Sequence, residues 1–376
     1  MADALRGLGW DHPRCTRPLR AVSAAYALEH PEVTIDWEVR SLAAFNDQPL
    51  AELARDYDLL TVDHPFVGTV ARDGTLLPLE ELMGAERVAR LRLDDAGGSQ
   101  RSYEWAGRHW ALAIDAACHV SAVRPDLLRA AGEVRPRSWA DLASLAARHP
   151  HRVLWPLYPT DAICSLLTLH ASHGYAIATL DDLHAAEVEA ALDVLLTVLP
   201  HLHPDSLSSN PPRALDLASS TDEVWCIPLT FGYGLYAQAD GGHRAIRFGP
   251  APTASTSTGV LGGAGLGVSA HSSNRAACAA FLTWLGDRRQ HDAIVEHGGQ
   301  PGRRSAWERR SGREPPGGFF RDTLTSLDAA ATRPRDPWWP RFQEEGGEVL
   351  HAALASRASS AQIAGKLAEL LKRLRG

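Results

Sequence analysis

Hydrophobic and polar positions follow two different periods over the first 80 residues of the chain. Short apolar runs suited to β-strands are separated by stretches in which apolar residues recur at the spacing of an α-helix. The helical spacing is clearest for Leu19, Val22 and Tyr26. The pattern predicts, in order, a strand, a helix, a strand, a helix and a strand over residues 5–10, 16–31, 33–39, 49–57 and 58–62. This order is typical of an α/β fold with a parallel sheet and crossover helices.

The same analysis predicts helices, strands and one long loop farther along the chain. The predicted helices include two that begin after the capping residues Ser138 and Asn274, followed by 161–174, 184–199 and 360–375. Residues 152–161 and the segment that begins at residue 223 are predicted to be strands. The segment 201–220 is rich in proline and serine, and we expect a loop there.

The tripeptide Asp-His-Pro occurs twice, as Asp11-His12-Pro13 and as Asp63-His64-Pro65. Each copy directly follows a predicted strand, and ligands of parallel sheets bind beyond the carboxyl ends of the strands. Proline favours an extended conformation in the residue before it and ends the element there. One copy alone carries little weight, because Asp and Pro are common wherever strands end. Two copies at equivalent places favour a shared ligand site.

Composition and charge exclude several classes of protein. The chain has 376 residues, a net charge of −7 and a pI of about 6.2, which argues against a protein that tracks nucleic-acid phosphates. Five widely spaced cysteines without a CxxC motif argue against a disulfide framework and a thiolate zinc site. No transmembrane stretch is evident, and the start "MADALRGLGWDHP" has no signal-peptide features. We therefore expect a cytoplasmic protein, unless the sequence is a trimmed form of an exported one.

Motifs for cofactors and metals give no positive indication. The run "GGAGLG" at 262–267 is followed by a strand and a loop, whereas a dinucleotide fingerprint must open a helix. Its glycines are better explained by a crossing strand that approaches the ligand cleft closely. His12 and His64 with a neighbouring carboxylate form a conceivable metal set, but no supporting spacing accompanies them. We expect neither a cofactor nor a metal.

Seven stretches in a fixed order resemble the carbohydrate-binding group of extracellular solute-binding proteins of ABC importers, which includes maltose-binding protein. They run through nearly the whole chain and read "YALEHPEVTIDWEV", "YDLLTVD", "GTLLPLEEL", "YEWAGRHWALAIDAACHVSAVRPDLLRAAG", "RPRSWADLASLA", "GGAGLGVSAHSSNRAACAAFLTWL" and "HGGQPGRRSAWE". Each stretch is weak alone, whereas their order and spacing are fairly specific. Members that serve importers are exported, so the lack of an export signal puts the transport role in question and leaves the fold unaffected.

The resemblance implies a two-lobed α/β fold of the type II periplasmic-binding-protein kind, with a ligand cleft between the lobes and hinge closure around the ligand. Lobe 1 would comprise 1–114 and 262–305, and lobe 2 would comprise 119–258 and 310–376. The chain would cross between them near 115–119, 259–267 and 303–310. A partner permease is expected only if the chain is exported.

The expected ligand site combines aromatic faces with polar groups that pair with hydroxyls. By resemblance to the family, ligand contacts are carried over to Trp10, Asp11, His12, Asp63, His64, Asp115 and Arg303. Positions after predicted strands add Trp155, Tyr158, Phe231 and Tyr233. Arg14 is assigned either to a ligand carboxylate or to an internal salt bridge with Asp11.

Two functions remain open on the sequence. The first is a binding protein that clamps a small polar ligand, most simply a sugar or a sugar-like compound. The alternative is a cytosolic enzyme on the same scaffold, a lyase or a condensing enzyme. Its base would be His12 or His64, and Asp11 or Asp63 would orient that base or act as an acid. A cytosolic sensor is a third possibility that the sequence leaves open.

Overall fold

The computed structural model describes residues 3–175, 177, 185–239, 242–253 and 259–375. These residues form an α/β protein in which strands and helices alternate at the start of the chain and helices predominate at its end. Strands occur at β1 Asp3–Trp10, β2 Val33–Arg40, β3 Leu59–Val62, β4 Leu76–Leu77, β5 Glu104–Trp105, β6 Arg108–His109, β7 Leu112–Val123, β8 Cys226–Phe231, β9 Arg247–Gly249 and β10 Leu261–Ser269.

The helices range from one turn to 17 residues in length. They are α1 Pro13–Glu29, α2 Leu42–Asp47, α3 Leu50–Leu53, α4 Val67–Asp73, α5 Leu79–Met83, α6 Ala85–Leu93, α7 Pro125–Ala130, α8 Trp139–Arg148, α9 Pro159–Ser172, α10 Ala185–Val198, α11 Pro211–Ser220, α12 Arg275–Leu285, α13 Arg288–Glu296, α14 Arg304–Ser311, α15 Phe319–Asp328, α16 Trp339–Ala355 and α17 Ser360–Arg375. The described helices include no segment with both the length and the apolar character that a membrane span requires.

The chain divides into two compact units. Unit 1 comprises Met1–Ala117, Gly262–Arg313 and Arg335–Pro337, and unit 2 comprises Cys118–Leu261, Glu314–Pro334 and Trp338–Gly376. Strands β7 and β10 each continue from one unit into the other.

Unit 1 is built on the parallel sheet that the first 80 residues predict. Strand β1 pairs in parallel with β2 over its whole length and with β3 through Gly7 and Leu8. Strand β10 returns antiparallel to β3. The core beneath this sheet is apolar throughout, and its fully or nearly fully buried members include Leu5, Val22, Leu59, Leu266 and Phe281. Because β1 and β3 are paired in parallel, their carboxyl ends lie next to each other at one edge of the sheet.

Unit 2 is mainly helical. The second half of β7 pairs antiparallel with β8 and β9. Its core is formed largely by the apolar faces of α8, α9, α10, α16 and α17, with Trp139, Leu167, Leu195, Phe342 and Leu367 among the buried residues. Helix α9 buries 13 of its 14 residues, and the buried ones include the polar Asp161, Thr168 and His170.

Two predictions for unit 2 are wrong. Residues 152–161 form no regular strand and contribute only an isolated bridge between Val153 and Cys226. Residues 201–220 were predicted to be a loop because they are rich in proline and serine, but they contain helix α11. Asn210 caps this helix by accepting a hydrogen bond from the Arg213 backbone N–H at 3.1 Å, and proline at the first helical position is compatible with a helix.

Candidate functional site

The two Asp-His-Pro triplets lie at equivalent positions of neighbouring strands. Strands β1 and β3 are paired with Gly7 opposite Leu59 and Leu8 opposite Leu60. When this parallel register is continued past both strands, it places Asp11 level with Asp63. The prediction that both triplets follow strand ends is confirmed by the element bounds.

The first triplet begins α1 through its histidine. His12 is the N-cap, and its Nδ1 accepts a hydrogen bond of 3.0 Å from the Arg14 backbone N–H. Because Nδ1 is an acceptor, the proton of the neutral ring is on Nε2. Burial, with the positive charges of Arg14 and Arg17, lowers the pKa of His12 to about 4. The ring is therefore neutral at physiological pH, while Asp11 beside it is exposed to solvent.

The second triplet uses its aspartate for the same purpose. Asp63 is the N-cap of a short 3-10 helix, His64–Phe66, and its Oδ1 accepts a hydrogen bond of 2.9 Å from the His64 backbone N–H. Asp63 is 3% exposed and His64 is 1% exposed. The His64 ring lies edge-on to Tyr103, with ring centroids 6.4 Å apart. This triplet is thus packed inside unit 1.

Arg14 and Asp115 form a buried, bidentate ion pair. The Arg14 Nε donates to Asp115 Oδ1 at 2.8 Å, and Nη2 donates to Oδ2. The two side chains are 4% and 5% exposed. Burial raises the pKa of Asp115, and the guanidinium of Arg14 opposes that shift. The internal salt bridge that was one of the two assignments of Arg14 is present, but its carboxylate partner is Asp115 and not Asp11.

Trp10 belongs to the core of unit 1. It is 3% exposed and packs on Phe45, with ring centroids 5.1 Å apart. Trp10, Arg14, Ile114 and Asp115 line a cavity of about 10 Å³. That is about the volume needed for one water molecule and is far too small for a sugar. The predicted role of Trp10 as an aromatic face for a ligand is therefore not supported by its surroundings.

The glycine-rich strand β10 approaches β7 closely at Gly263. A Cβ atom at Gly263 would come within 2.3 Å of the Asp115 carbonyl oxygen, and the residue has a φ of 117°. Only glycine fits this combination of contact and backbone conformation. On the next residue of β7, Ala116 exchanges two hydrogen bonds with Gln300. The backbone that carries Asp115 is therefore held from two sides.

Arg303 is in unit 1 but does not join these groups. It is the N-cap of α14, and its Nη2 donates to the Gly286 carbonyl oxygen. Its Nη1 lies 3.9 Å from Asp94 Oδ2. These contacts give Arg303 a structural role. Neither Gly286 nor Asp94 was predicted to belong to the ligand site.

Trp155 and Tyr158, predicted at the end of a strand, lie in different environments in unit 2. Trp155 is fully buried, stacks on Trp139 with ring centroids 5.8 Å apart, and donates from Nε1 to Ser165 Oγ at 2.9 Å. The structure does not support its assignment as a ligand contact, because the side chain is fully buried and its Nε1 donates to a residue of unit 2. Tyr158 precedes α9 and is 40% exposed.

Phe231 ends β8 in a group of polar side chains. Its ring lies 4.4 Å from that of His119, and the Arg333 guanidinium carbon is 5.9 Å from its centroid. Phe231 is half-buried, whereas Tyr233 is 4% exposed and lies edge-on to Tyr236.

His119 and Arg333 are absent from the set predicted from the sequence. The His119 Nδ1 lies 2.8 Å from Thr168 Oγ1, and burial together with Arg333 lowers the pKa of His119 to about 3. Arg333 donates to the Leu261 carbonyl oxygen and to Gln343 Oε1, and it is 2% exposed. Arg333 stands directly before a proline in the segment "TRPRDP", which carries no periodic signal, so only the tertiary contacts reveal its role.

A metal site has no candidate among the described residues, where no three His, Cys, Asp or Glu side chains gather closely enough to hold an ion. The described cysteines are all buried, and none of them forms a disulfide bond.

A family comparison decides the class of protein. The model of the bacterial extracellular solute-binding protein family matches residues 24–304. The chain belongs to this family. The resemblance seen in the sequence is confirmed, and binding of a solute is the family's defining property. No curated protein matches the chain in sequence.

Solved structures of similar fold come from several bacteria. The maltose-bound MalE3 of T. maritima superposes with a TM-score of 0.83 at 18% identity, covering 99% of this chain and 100% of that one. A solute-binding protein from Agrobacterium radiobacter K84 in complex with ribitol gives 0.81 at 18%, covering 99% and 98%. One from Thermotoga lettingae bound to α-D-tagatose gives 0.83 at 15%, covering 100% of both chains. The predicted type II periplasmic-binding-protein fold is thereby confirmed.

Proposed function

We propose that the protein binds an uncharged sugar or sugar alcohol and delivers it to the permease of an importer. Membership of the extracellular solute-binding family is the observation that carries the proposal. The ligand class is supported by structures of the same fold at low identity, whose ligands are maltose, ribitol and α-D-tagatose.

The charge state of the polar groups favours a neutral ligand. In unit 1, Arg14 and Asp115 neutralise each other. The lowered pKa values of His12 and His119, about 4 and about 3, keep both rings uncharged at neutral pH. Neutral imidazoles offer one donor and one acceptor each, which suits hydroxyl groups better than carboxylates. A charged solute would lack a compensating partner among these groups.

The aromatic contribution is assigned to unit 2. Phe231 is half-buried beside His119, and Tyr158 is 40% exposed to solvent. An exposed ring face can cover the apolar face of a sugar. The rings of Trp10 and Trp155 instead pack on other aromatic rings in the core. The proposed contacts are therefore a reduced set drawn from Asp11, His12, Asp63, His64, Tyr158, Phe231 and Tyr233, together with His119.

The proposal is tested by thermal unfolding and calorimetric titration with maltose, D-tagatose, ribitol and D-mannitol, with D-gluconate as a charged comparison. A solute that binds the native state raises its stability by about 2.7 kcal/mol at 100 times its Kd. We expect at least one neutral solute to raise the unfolding temperature and D-gluconate to leave it unchanged. A response to D-gluconate alone would contradict the proposal.

Variant proteins locate the aromatic contact. Replacement Phe231→Ala should weaken binding of the responding solute roughly tenfold, because a stacking aromatic contributes about 0.5–1.5 kcal/mol beyond its buried area. Tyr175→Ala is the matched control, since Tyr175 is also an aromatic residue, 36% exposed, that stands at none of the proposed positions. Equal affinities for the two variants would place the ligand elsewhere.

The acid–base enzyme has weaker support. An efficient general base has a pKa close to the working pH, whereas burial and two cations hold the pKa of His12 near 4. His64 and Asp63, the alternative pair, are 1% and 3% exposed. No observation favours a specific reaction, so we propose binding rather than turnover.

Delivery to a permease requires the protein to act outside the cytoplasmic membrane, where its family works. A cytoplasmic location remains the alternative prediction to this extracellular one. Cell fractionation of the native producer with an antibody against the protein separates the two. Recovery in the cytoplasmic fraction alone would retain the solute-binding role and remove the permease from the proposal.

A further inference from the structure

The Arg14–Asp115 ion pair joins two segments that are 101 positions apart in the sequence. Arg14 lies in the first turn of α1, directly after the first triplet, and Asp115 lies in β7. Both carboxylate oxygens accept from the guanidinium, and both side chains are buried. A bidentate contact of this kind fixes direction as well as distance.

On the helix side, a hydrogen bond links Arg14 of the ion pair to His12. The backbone N–H of Arg14 donates to His12 Nδ1 while the Arg14 side chain holds Asp115. The His12 carbonyl oxygen in turn accepts from the backbone N–H groups of Cys15 and Thr16. One residue, Arg14, therefore sets both the orientation of the His12 ring and the attachment of α1 to β7.

On the strand side, Asp115 has little freedom to move. Its carbonyl oxygen faces Gly263 at a distance that excludes a Cβ, and the next residue is paired with Gln300 through two hydrogen bonds. Movement of the Asp115 side chain would have to disturb β7, β10 or the Gln300 segment. The carboxylate is thus a fixed anchor for Arg14.

We infer that Arg14 and Asp115 are positioning residues, whose ion pair holds His12 in place, and that Asp115 influences the first triplet only through Arg14. The inference rests on the proposed function solely in giving His12 a ligand-binding role. It replaces the expectation that Asp115 meets the ligand directly, because a buried carboxylate already engaged at both oxygens by a guanidinium is a poor acceptor for a further hydroxyl.

The test follows the titration of the His12 ring by NMR in ligand-free protein. The charged groups that act on this ring are Arg14 and Arg17. The Asp115→Asn change is made in the natural chain and in the Arg14→Met variant, and the His12 midpoint is compared in all four proteins. Arg17→Met, alone and combined with Asp115→Asn, is the matched control.

We expect the Arg14→Met change to raise the His12 midpoint by roughly half a pH unit or more, because the nearest cation is removed. A midpoint responds to charge through space, so the position of the ring is read from the 15N chemical shifts of the neutral ring, which report the hydrogen bond that Nδ1 accepts from the Arg14 backbone N–H. Asp115→Asn should change these shifts in the natural chain and in Arg17→Met. In the Arg14→Met protein, where the ion pair is already absent, the same Asp115→Asn change should leave them unaltered.

An equal change in the ring shifts on Asp115→Asn with and without Arg14, or no change in either protein, would overturn the inference. If Asp115→Asn does not fold, the apolar pair Arg14→Met/Asp115→Leu decides, because it leaves neither charge unpaired. We expect that double variant to fold and to show the ring shifts of Arg14→Met. Ring shifts equal to those of the natural chain would overturn the inference. None of these measurements needs a bound sugar, so a failed ligand assay does not affect them.

Discussion

The two Asp-His-Pro triplets have the same sequence and equivalent register, yet they fold differently. In the first, His12 caps α1, a helix of 17 residues, and Asp11 is left in solvent. In the second, Asp63 caps a 3-10 helix of three residues, and both Asp63 and His64 are buried. The cap thus falls one residue earlier in the second triplet than in the first.

The difference arises from the strands and from distant side chains. Strand β1 is paired with β2 up to Trp10, and the Asp11 backbone N–H extends this pairing by donating to the Arg40 carbonyl oxygen at 2.8 Å. The backbone of Asp11 is therefore held in the sheet, and the helix starts later. Asp63 instead closes the turn with its side chain, which accepts a hydrogen bond from the His64 backbone N–H.

Each following helix is also held by a different remote segment. Helix α1 is attached to β7 by the Arg14–Asp115 pair. Helix α4, after the second triplet, packs on the backbone of Arg335, so that a Cβ atom at Gly68 would lie 2.0 Å from the Arg335 carbonyl oxygen. Identical local sequences can therefore reach different structures when their partners lie elsewhere in the chain.

The largest expected effect concerns the partner of the first triplet. Arg14→Met leaves the Asp115 carboxylate buried without its counter-charge, and breaking a buried ion pair in this way costs about 3–5 kcal/mol. Denaturant unfolding should show a loss of this size, whereas Arg17→Met, at an exposed position three residues along α1, should change stability by less than about 0.5 kcal/mol. A small loss for Arg14→Met would show that α1 is attached by other contacts.

A smaller effect is expected at the partner of the second triplet. Gly68→Ala forces a methyl group onto the Arg335 backbone and should destabilise the protein by about 1–3 kcal/mol. Limited trypsin digestion should then cut faster after Arg335. Gly365→Ala is the matched control, because its helical site has open space, and alanine should stabilise that helix by up to about 1 kcal/mol. Changes of the same sign would contradict the assigned contact.

The smallest effect compares the two aspartates directly. Asp63→Ala removes an N-cap and should cost about 0.5–2 kcal/mol. Asp11→Ala removes an exposed carboxylate without a capping role and should fall within about 0.5 kcal/mol of the natural chain. Denaturant midpoints of the two variants provide the measurement. Equal losses would mean that the triplets are equivalent after all.

Much of the fold was predictable because its signals are local. Short apolar runs placed β1 and β3, and the alternation of apolar residues placed β2. The stripe of leucines placed α17, whose observed bounds of Ser360–Arg375 match the prediction. The failure at 201–220 has a local cause too. Proline and serine are read as loop formers, but at Asn210-Pro211 they form the start of α11, whose Ala214 and Leu215 are buried in unit 2.

The candidate site was predictable only in part. The position of both triplets at strand ends followed from the order of elements. Trp155 was misplaced because its segment is not a strand, and a tryptophan in the core has the same sequence appearance as one in a cleft. Arg333 and His119 were missed because each acquires its partners from segments far along the chain.

The sequence by itself determined the family, the α/β class and the strand ends at which polar residues collect, because periodicity, turn residues and the order of elements are written locally along the chain. Only the tertiary structure decided that Arg14 pairs with Asp115, that His12 and not Asp11 caps α1, and that Trp10 and Trp155 belong to the core. Hydrogen bonds and burial depend on distances between segments that lie far apart in sequence, and the folded backbone alone fixes those distances.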